Sequence, residues 1–317
     1  MKKKKILVTG GSGFVGTNLL KRLSAENNFL LYSNYFKNKK FKKVTNVKYF
    51  KVDLEKLQDC KKICKNIDII IMCAANSSGA AIMEKKPLVH LSPNIRMNIN
   101  MAEAAYEAKV KKFIFISSNT VYPQVNFPVK EKNASFNFFD KYYVVGWMKR
   151  FSEIVMNIYG QRIKKNYMKT IIVRPGNLYG AHDKFDPIKS KVIPSLIRKV
   201  VKKQNPLTVW GDGKDLKDFL YIDDFTDAML KIIKNINNSV ELNIASGKGH
   251  TIREVLNLIL KIEQFNPKIN FDRSMPTMIP KRLIDIAKAK KIISFKPKIS
   301  IEEGLKRTIL WYKKHDN

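Results

Sequence analysis

The first half of the chain alternates short apolar runs with stretches of helical periodicity. The apolar runs are rich in β-branched residues and lie at 5–9, 29–33, 47–53, 67–75, 111–118 and 169–175. The helical stretches between them lie at 14–25, 55–65, 94–109 and 146–165. Continuous apolar strands separated by helices are typical of a parallel sheet that helices cover on both faces. The sequence therefore predicts an α/β fold with a doubly wound parallel sheet.

A glycine-rich loop lies between the first apolar run and the first helical stretch. Glycine permits a tight turn and a close approach of the backbone to a ligand, and the first N–H groups of a helix attract a pyrophosphate. We therefore expect this loop of a Rossmann-type sheet to bind a dinucleotide. The residues that we assign to this cofactor are Gly10, Ser12, Gly13, Phe14, Val15 and Gly16.

The second and third strands carry the residues expected to hold the adenosine end of the dinucleotide. The segment 30–40, in which Asn34 is assigned to the cofactor, has no acidic residue for a free ribose 2′-hydroxyl, and Lys37 can receive a 2′-phosphate. This pattern favours NADP(H) over NAD(H). Asp53 and Leu54, after the third strand, are assigned to the adenine side, and helix capping is the alternative role of Asp53.

The second half of the chain changes in character after residue 175. Proline- and glycine-punctuated segments alternate there with helical stretches at 190–203, 224–235, 251–262 and 301–314. Ligands of open α/β sheets bind outside the carboxyl ends of the strands, where such a lobe would sit. We predict a dinucleotide-binding domain at 1–175 and a smaller α/β substrate-binding lobe at 176–317, with strands and helices able to interleave between the two.

The formal net charge of +33 raises the question of nucleic-acid binding. The chain contains 50 Lys against 10 Arg, and the lysines are spread over every segment. Arginine supplies most bidentate contacts to phosphates and bases, so this pattern does not predict a nucleic-acid surface. It is compatible with a small anionic substrate.

Cysteine usage and hydropathy predict the cellular setting. Cys60, Cys64 and Cys73 are few, odd in number and not spaced with histidine as zinc ligands are, which predicts a reducing cytoplasmic location and no metal site. No run of about 18 apolar residues is present, so we expect no membrane partner.

Ordered segments that resemble one family extend over nearly all of the chain. They include VTGGSGFVG (8–16), CAANSSGAA (73–81), SSNTVYP (117–123), RPGNLYGAHDKFDP (174–187), KVIPSLIRK (191–199) and VWGDGKDLKDFLYIDD (209–224). They resemble the extended short-chain dehydrogenase/reductase family of NAD(P)-dependent nucleotide-sugar epimerases, dehydratases and reductases. Within that family the nearest similarity is to GDP-L-fucose synthases.

The resemblance implies hydride transfer at C4 of a nucleotide sugar, with a GDP-sugar as the expected substrate. It implies that Ala74 and Ala75 line the nicotinamide nucleotide, that Ser118 hydrogen-bonds the reacting sugar oxygen and that Lys149 binds the nicotinamide ribose. Thr120 matches a further active-site position. The residues implied to bind the substrate are Asn76, Ser78, Asn177, Lys191, Val192, Lys199, Trp210, Lys217 and Arg282.

Other roles stay open for part of that set, and a homodimer is implied as well. A solvated surface position is the alternative for Lys199 and Lys217, and a place in the core is the alternative for Trp210. The dimer implied by the family would form through paired helices, for which 94–109 and 146–165 are the candidates.

Two departures from the family pattern concern proton transfer. The tyrosine that the family places four residues before Lys149 is Val145, and the histidine expected before VIP is Lys191. A ketone oxygen cannot become an isolated alkoxide at neutral pH, so a neighbouring group must supply a proton as hydride arrives.

Three replacements for the missing groups are open. Tyr142 or Tyr143 could act if the loop before the helix bends, because we expect a residue two or three positions earlier on a continuing helix to face elsewhere. Ser118 and Thr120 could relay a proton through water. Lys191, desolvated beside Lys149, could act with a lowered pKa. The alternative is that the two tyrosines are only interior aromatic residues of a loop.

The same departures leave the reaction open. A 4-keto reductase or dehydrogenase and a combined epimerase-reductase are the primary candidates. A 4-epimerase or a 4,6-dehydratase is the alternative within the family. A catalytically silent protein that binds the cofactor but has lost the active-site tyrosine is the alternative of another class.

Overall fold

A computed structural model describes residues 2–36, 41–77, 82, 85–163, 167–275 and 277–315. Its strands are β1 (Lys4–Val8), β2 (Phe29–Tyr35), β3 (Val47–Lys51), β4 (Ile69–Met72), β5 (Lys112–Ile116), β6 (Lys169–Pro175), β7 (Asn177–Tyr179), β8 (Leu207–Trp210), β9 (Leu216–Tyr221), β10 (Val240–Ile244), β11 (Gly249–Thr251), β12 (Ile269–Asp272) and β13 (Lys281–Arg282).

The α-helices alternate with these strands. They are α1 (Phe14–Ser24), α2 (Leu57–Cys64), α3 (Ser92–Glu107), α4 (Tyr143–Asn157), α5 (Val192–Val201), α6 (Ile222–Asn235), α7 (Ile252–Ile262), α8 (Ala287–Ile293) and α9 (Ile301–His315). Short 3₁₀ turns at Pro87–His90, Asn119–Val121 and Asp140–Tyr142 lie beside the site described below. None of the helices within the described ranges is long and apolar enough to cross a bilayer.

Seven parallel strands of the described chain form one sheet in the order β10-β6-β5-β4-β1-β2-β3. The strands are apolar on both faces, as β1 illustrates: Ile6 packs in one core cluster, and Leu7 packs in a second cluster on the opposite face. Successive side chains of a strand point to opposite faces, so both faces of this sheet are covered. The predicted doubly wound α/β fold is confirmed.

The second half of the chain contributes to the large sheet and also builds a separate layer beside it. β10 pairs with β6 along its whole length, from Val240 opposite Ile171 to Ile244 opposite Pro175. β7, β9, β11 and β13 form a small mixed sheet, and β8 pairs with β12. Because β7 begins two residues after β6 ends, this layer lies beyond the carboxyl edge of the large sheet.

A buried ionic network fixes α4 on the large sheet. The Glu153 carboxylate, which is fully buried, accepts hydrogen bonds from Arg174 Nε at 2.8 Å and from Ser117 Oγ at 2.5 Å. Arg174 belongs to β6, and Ser117 directly follows β5. Lys149 lies four residues before Glu153, on the same face of the helix, so the network also sets the direction of Lys149.

Candidate active site

A cavity with a volume of about 430 Å³ opens at the carboxyl edge of the large sheet. Its wall takes residues from the segments that follow three neighbouring strands: Asn76 after β4, Ser118 after β5 and Asn177 after β6. α4 contributes Val145 and Lys149, and α5 contributes Val192 and Lys199. Parallel strands end at a common edge, which is why residues so distant in sequence meet here.

The glycine-rich loop has the geometry that a pyrophosphate site needs. Gly10 has a φ of +68°, and a Cβ on it would lie 2.9 Å from the Ala74 Cα. A Cβ on Gly16 would meet the backbone carbonyl of Gly10. Gly13 is the N-cap of α1 and offers no side chain to the first-turn N–H groups, which therefore remain available to an anion. These residues fit a dinucleotide.

The other residues assigned to the dinucleotide surround this loop. Asn34, buried in β2, accepts the Gly10 N–H at 2.9 Å and so fixes the turn. Phe14 is buried at the start of α1, and Val15 reaches the cavity wall, as does Ala75. Ser12 is half-buried in the loop. Ala74 backs the loop, as its short approach to Gly10 shows.

Two residues assigned to the adenosine end of the dinucleotide, Asp53 and Leu54, lie away from the cavity wall. The Asp53 carboxylate accepts the Glu55 N–H at 3.1 Å and so stabilises the turn before α2, while Leu54 is buried. Both residues lie outside the cavity wall formed by the described residues. Lys37 and Ser78 lie outside the described residues.

Two hydroxyl groups follow β5 and face the cavity. The Ser118 Oγ accepts the Thr120 N–H at 3.2 Å, so the Ser118 hydroxyl proton is free to be donated to a ligand. Thr120 Oγ1 is buried and has no hydrogen-bond partner among the described residues. A buried hydroxyl without a partner is costly unless a ligand satisfies it. Both groups can bind the oxygen of a reacting carbonyl.

Lys149 is the ammonium group that α4 brings to the cavity wall. Its Nζ donates a hydrogen bond to the Ile116 carbonyl at 2.8 Å and lies 4.8 Å from the centre of the Phe115 ring. Burial lowers the pKa of Lys149 to about 8, against an opposing effect of the Glu153 carboxylate. The amine is therefore mostly charged at neutral pH, although its surroundings are apolar.

The two tyrosines before Val145 are directed differently. α4 begins at Tyr143, earlier than the sequence indicated, and Tyr142 forms its N-cap and lines the cavity together with Val145. Tyr143 is 57% exposed and packs edge-on against Phe138. Tyr142 precedes α4 and ends the 3₁₀ turn Asp140–Tyr142, so the chain bends before the helix, which is the condition under which this residue was expected to reach the site. Tyr143 lies outside the described cavity wall.

Three lysines of the second half reach the cavity wall. Lys217 is buried, forms an ion pair with Asp215 at 3.1 Å and donates to the Ile279 carbonyl. Lys199 is half-buried and donates to the Thr208 carbonyl at 2.6 Å. Burial lowers the pKa of both amines. Neither is the fully solvated surface lysine that was the alternative.

Lys191 differs from these two. It is the N-cap of α5, borders the cavity and has an exposed side chain. The expectation that Lys191 is desolvated beside Lys149 is therefore wrong. Val192, the next residue, is half-buried in the same wall.

Arg282 and Trp210, both assigned to the substrate, differ in their position relative to the cavity. Trp210 is half-buried at the end of β8 and lines the cavity. Arg282 is buried, and its Nη1 and Nη2 donate to the carbonyls of Pro123 at 2.8 Å and Tyr122 at 2.9 Å. It lies outside the wall formed by the described residues. We therefore expect Arg282 to hold the Tyr122–Pro123 segment rather than to bind a diphosphate.

His90 is a wall residue that the sequence analysis missed. Its ring is 2% exposed and ends the 3₁₀ turn that precedes α3. The signal was weak: the chain has four histidines, and nothing in the local sequence indicates that this one reaches the carboxyl edge of β4. Among the described residues, no group of three or more His, Cys, Asp or Glu side chains converges as metal ligands would.

Comparisons with known proteins show the family and the fold. Residues 6–245 match the NAD dependent epimerase/dehydratase family. GDP-L-fucose synthase 1 of Arabidopsis thaliana is 28% identical over 99% of this chain and 94% of the plant protein. A dTDP-4-dehydro-6-deoxy-D-allose reductase of a Streptomyces species is 26% identical over 98% of this chain and 97% of its own length. The structure of a Thermotoga maritima UDP-glucose 4-epimerase with UDP-glucose superposes with a TM-score of 0.87 at 24% identity and covers 99% of this chain and 100% of the epimerase.

Proposed function

The chain belongs to the NAD-dependent epimerase/dehydratase family, and we propose that it is an NAD(P)H-dependent 4-keto reductase of a nucleotide sugar, with a GDP-sugar as substrate. The observation that carries this proposal is that Ser118, Lys149, Lys199 and Lys217 all line one cavity. Hydroxyl groups for a reacting oxygen and cations for a diphosphate thus border one space of suitable size.

The side chains of the wall have separate tasks in this proposal. Ser118 and Thr120 hydrogen-bond the C4 oxygen of the sugar, and Lys149 holds the nicotinamide ribose with its ammonium. Lys199 and Lys217 neutralise the diphosphate, while Asn177 and Trp210 bind the nucleoside end. The bound dinucleotide supplies the hydride that reduces C4.

Reduction at one carbon is favoured over combined epimerisation and reduction. Epimerisation beside a ketone needs an acid that faces the sugar, and an exposed lysine stands at 191 in place of the family's histidine. A reductase of a 4-keto sugar also occurs among the relatives over nearly the full length. The dehydratase alternative lacks an acidic pair after Ser118 in the segment SSNTVYP.

The cofactor and the assembly are proposed more narrowly than the family requires. The segment 30–40 has no acidic residue for a ribose 2′-hydroxyl, and this supports NADP(H). Trp147 and Phe151 stack on the outer face of α4 with ring centres 5.2 Å apart, and this supports a homodimer through α3 and α4. The free cysteines support a cytoplasmic location.

The test is turnover with a panel of substrates. Purified protein is mixed with NADPH or NADH and with GDP-, dTDP-, UDP- and CDP-4-keto-6-deoxy sugars, and loss of reduced cofactor is followed by absorbance. We expect oxidation with a GDP-sugar and a large loss of rate in Ser118→Ala and Lys149→Met. Lys248→Met, which changes an exposed lysine outside the cavity wall, is the control.

An absence of turnover with every sugar of the panel is the result that would contradict the proposal. Cofactor binding by calorimetry without oxidation of NADPH or NADH by any sugar of the panel would contradict a reductase. It would favour the silent cofactor-binding protein, or an epimerase or dehydratase, which consume no reduced cofactor.

A further inference from the structure

His90 has one ring nitrogen bound and the other free. Its Nδ1 lies 3.0 Å from the Asn76 carbonyl oxygen, and its Nε2 is buried without a hydrogen-bond partner among the residues that the structure describes. The side chain is 2% exposed and forms part of the cavity wall. A buried imidazole nitrogen without a partner is expected where a ligand completes the hydrogen bond.

The contact with Asn76 determines where the ring proton lies. A carbonyl oxygen can only accept, so Nδ1 must carry a proton whenever this bond is made. Asn94 fixes both backbone polar groups of Asn76, accepting its N–H at 2.8 Å and donating to its carbonyl at 3.0 Å. Nε2 therefore presents a lone pair in the neutral ring and an N–H in the charged ring.

The packing of α3 against α4 places His90 near position 145. Both helices connect parallel strands of one sheet, so they run in the same direction. Asn98 of α3 donates to Ser152 of α4 at 2.9 Å, which fixes their register. His90 lies eight residues before Asn98, and Val144 lies eight residues before Ser152. The turn Pro87–His90 also packs against α4. His90 thus lies level with the turn that carries Val145.

Tyr142 and Lys191 are less suitable as proton donors. Tyr142 lies seven residues before Lys149, about 10 Å along the helix axis. Burial raises the pKa of its phenol, with Arg282 opposing this effect only in part. Lys191 is exposed at the edge of the cavity. His90 differs from both, because it is 2% exposed and its Nε2 has no partner among the described residues, whereas Tyr142 is half-buried.

We propose that His90 is the general acid and base of this active site, in place of the phenol that Val145 removes. This inference rests on the proposed function. In reduction, the His90 imidazolium transfers its Nε2 proton to the C4 oxygen while hydride from the bound dinucleotide forms the C4–H bond and the carbonyl π bond breaks. The ketone is reduced, NAD(P)H is oxidised to NAD(P)⁺, and the ring regains a proton from water. In the opposite direction the neutral Nε2 accepts the C4 hydroxyl proton.

The first test is chemical rescue. General acid catalysis contributes about 10²–10⁴-fold, so His90→Ala should lower the single-turnover rate by at least about a hundredfold. Imidazole added to this variant should restore the rate in proportion to its concentration, because it can occupy the vacated volume. His250→Ala is the matched control, since His250 lies on β11 outside the described cavity wall.

Binding and competing variants complete this test. Affinities of His90→Ala for NADPH and for GDP, measured by calorimetry, should stay within about twofold of those of the unaltered protein, because the proposal gives His90 no binding role. An unchanged rate in His90→Ala, or a loss that imidazole does not reverse while Tyr142→Phe shows a comparable loss, would overturn the proposal.

A second measurement needs neither turnover nor a folded variant. Nitrogen NMR of the unaltered protein labelled at histidine should show the neutral His90 ring protonated at Nδ1, and the Nε2 signal should shift when NADP⁺ and GDP-mannose are added together. Protonation of the neutral ring at Nε2, or an Nε2 signal that does not shift when both ligands are added, would overturn the assignment of His90 as the acid and base. If no 4-keto sugar is reduced, the proposed function fails, and this spectrum still tests separately whether the Nε2 of His90 contacts a bound ligand.

Discussion

Val145 is the residue that distinguishes this cavity from the pattern its family follows. The neighbours that a proton donor would need are present: Ser118 and Thr120 offer hydroxyl groups, and Lys149 offers a buried ammonium. The side chain at 145 removes one phenol but not the polar surroundings in which a phenol would work. The question at the residue scale is therefore which neighbouring proton is used.

The pKa of Lys149 predicts how cofactor affinity depends on pH. Burial lowers this pKa to about 8, so the amine is charged below that pH and loses its charge as the pH rises through it. If the ammonium holds the nicotinamide ribose, the dissociation constant for NAD(P)H should increase as the pH passes about 8. Fluorescence titration of the cofactor across neutral and alkaline pH measures this change.

The variant Lys149→Met supplies the control for that prediction. It should bind NAD(P)H more weakly at neutral pH and show no inflection near the lysine pKa. An inflection of the same size in the variant would assign the titration to another group.

The tyrosine pair offers a matched comparison at adjacent positions. Tyr142 lines the cavity, whereas Tyr143 is 57% exposed. Removing the Tyr142 hydroxyl should raise KM by up to about tenfold, the value of one hydrogen bond, and should lower kcat much less than His90→Ala does. Tyr143→Phe should change neither constant. Steady-state kinetics of the two variants would contradict this picture if Tyr143→Phe were the more damaging.

At the scale of elements, the phosphate loop is the part of the site that a small change should affect most. A Cβ on Gly16 would lie 2.8 Å from the Gly10 carbonyl carbon, so Gly16→Ala must displace the backbone of the loop. Loss of one charge-assisted hydrogen bond to a phosphate costs about 1.5–3 kcal/mol, so NAD(P)H affinity should fall at least about tenfold. Calorimetry measures this loss.

Gly13→Ala is the milder comparison at the same loop. Its Cβ would meet only the Gly10 carbonyl oxygen, at 3.2 Å, and a small adjustment can relieve that contact. Equal losses of affinity in the two variants would mean that the stated contact at Gly16 is not the cause.

The seating of α4 depends on Glu153. Removing one partner of a buried ion pair costs about 3–5 kcal/mol, because the other charge remains buried. We therefore expect Glu153→Gln to lower the free energy of unfolding by about that amount, measured by urea denaturation. Glu107→Gln breaks an exposed pair with Lys61 and should lower the free energy of unfolding far less. A small effect at Glu153 would show that the helix is held mainly by apolar packing.

The sequence predicted the elements of the first half better than those of the second. The six apolar runs of the first half all became strands of the large sheet, because burial on both faces leaves a continuous apolar signal. β7, β11 and β13 are two or three residues long, and so short a strand has no readable period. The start of α4 was placed too late because a 3₁₀ turn leads into it.

The same difference applies to the site. Residues that follow parallel strands, such as Ser118 and Asn177, could be placed together in advance because parallel strands share an edge. His90 could not be placed, because its position depends on a short 3₁₀ turn and on the register of α3 against α4. Arg282 was assigned to the substrate from the resemblance, and nothing local predicted its contacts with the carbonyls of Tyr122 and Pro123.

At the scale of the whole molecule, the outer face of α4 predicts self-association. Trp147 is 36% exposed and stacks on Phe151. In a monomer these two rings would leave an aromatic patch of α4 in contact with solvent, and such patches are typical of interfaces. Trp147→Glu should convert the dimer into a monomer, because a charge would be buried at the interface. Sedimentation velocity measures this change. Leu310→Glu is the control, since Leu310 is 68% exposed on α9. A dimer that survives Trp147→Glu would place the contact elsewhere.

The pairing of β10 with β6 has a consequence for biosynthesis. The strand that completes the large sheet ends at Ile244, so a ribosome must release most of the chain before β6 acquires its last neighbour. Until then β6 is a bare edge with unpaired backbone groups, which other nascent chains can join. A protein cut after residue 175 would keep that edge permanently. We therefore expect the segment 1–175, expressed without the rest of the chain, to aggregate rather than to fold as an independent domain.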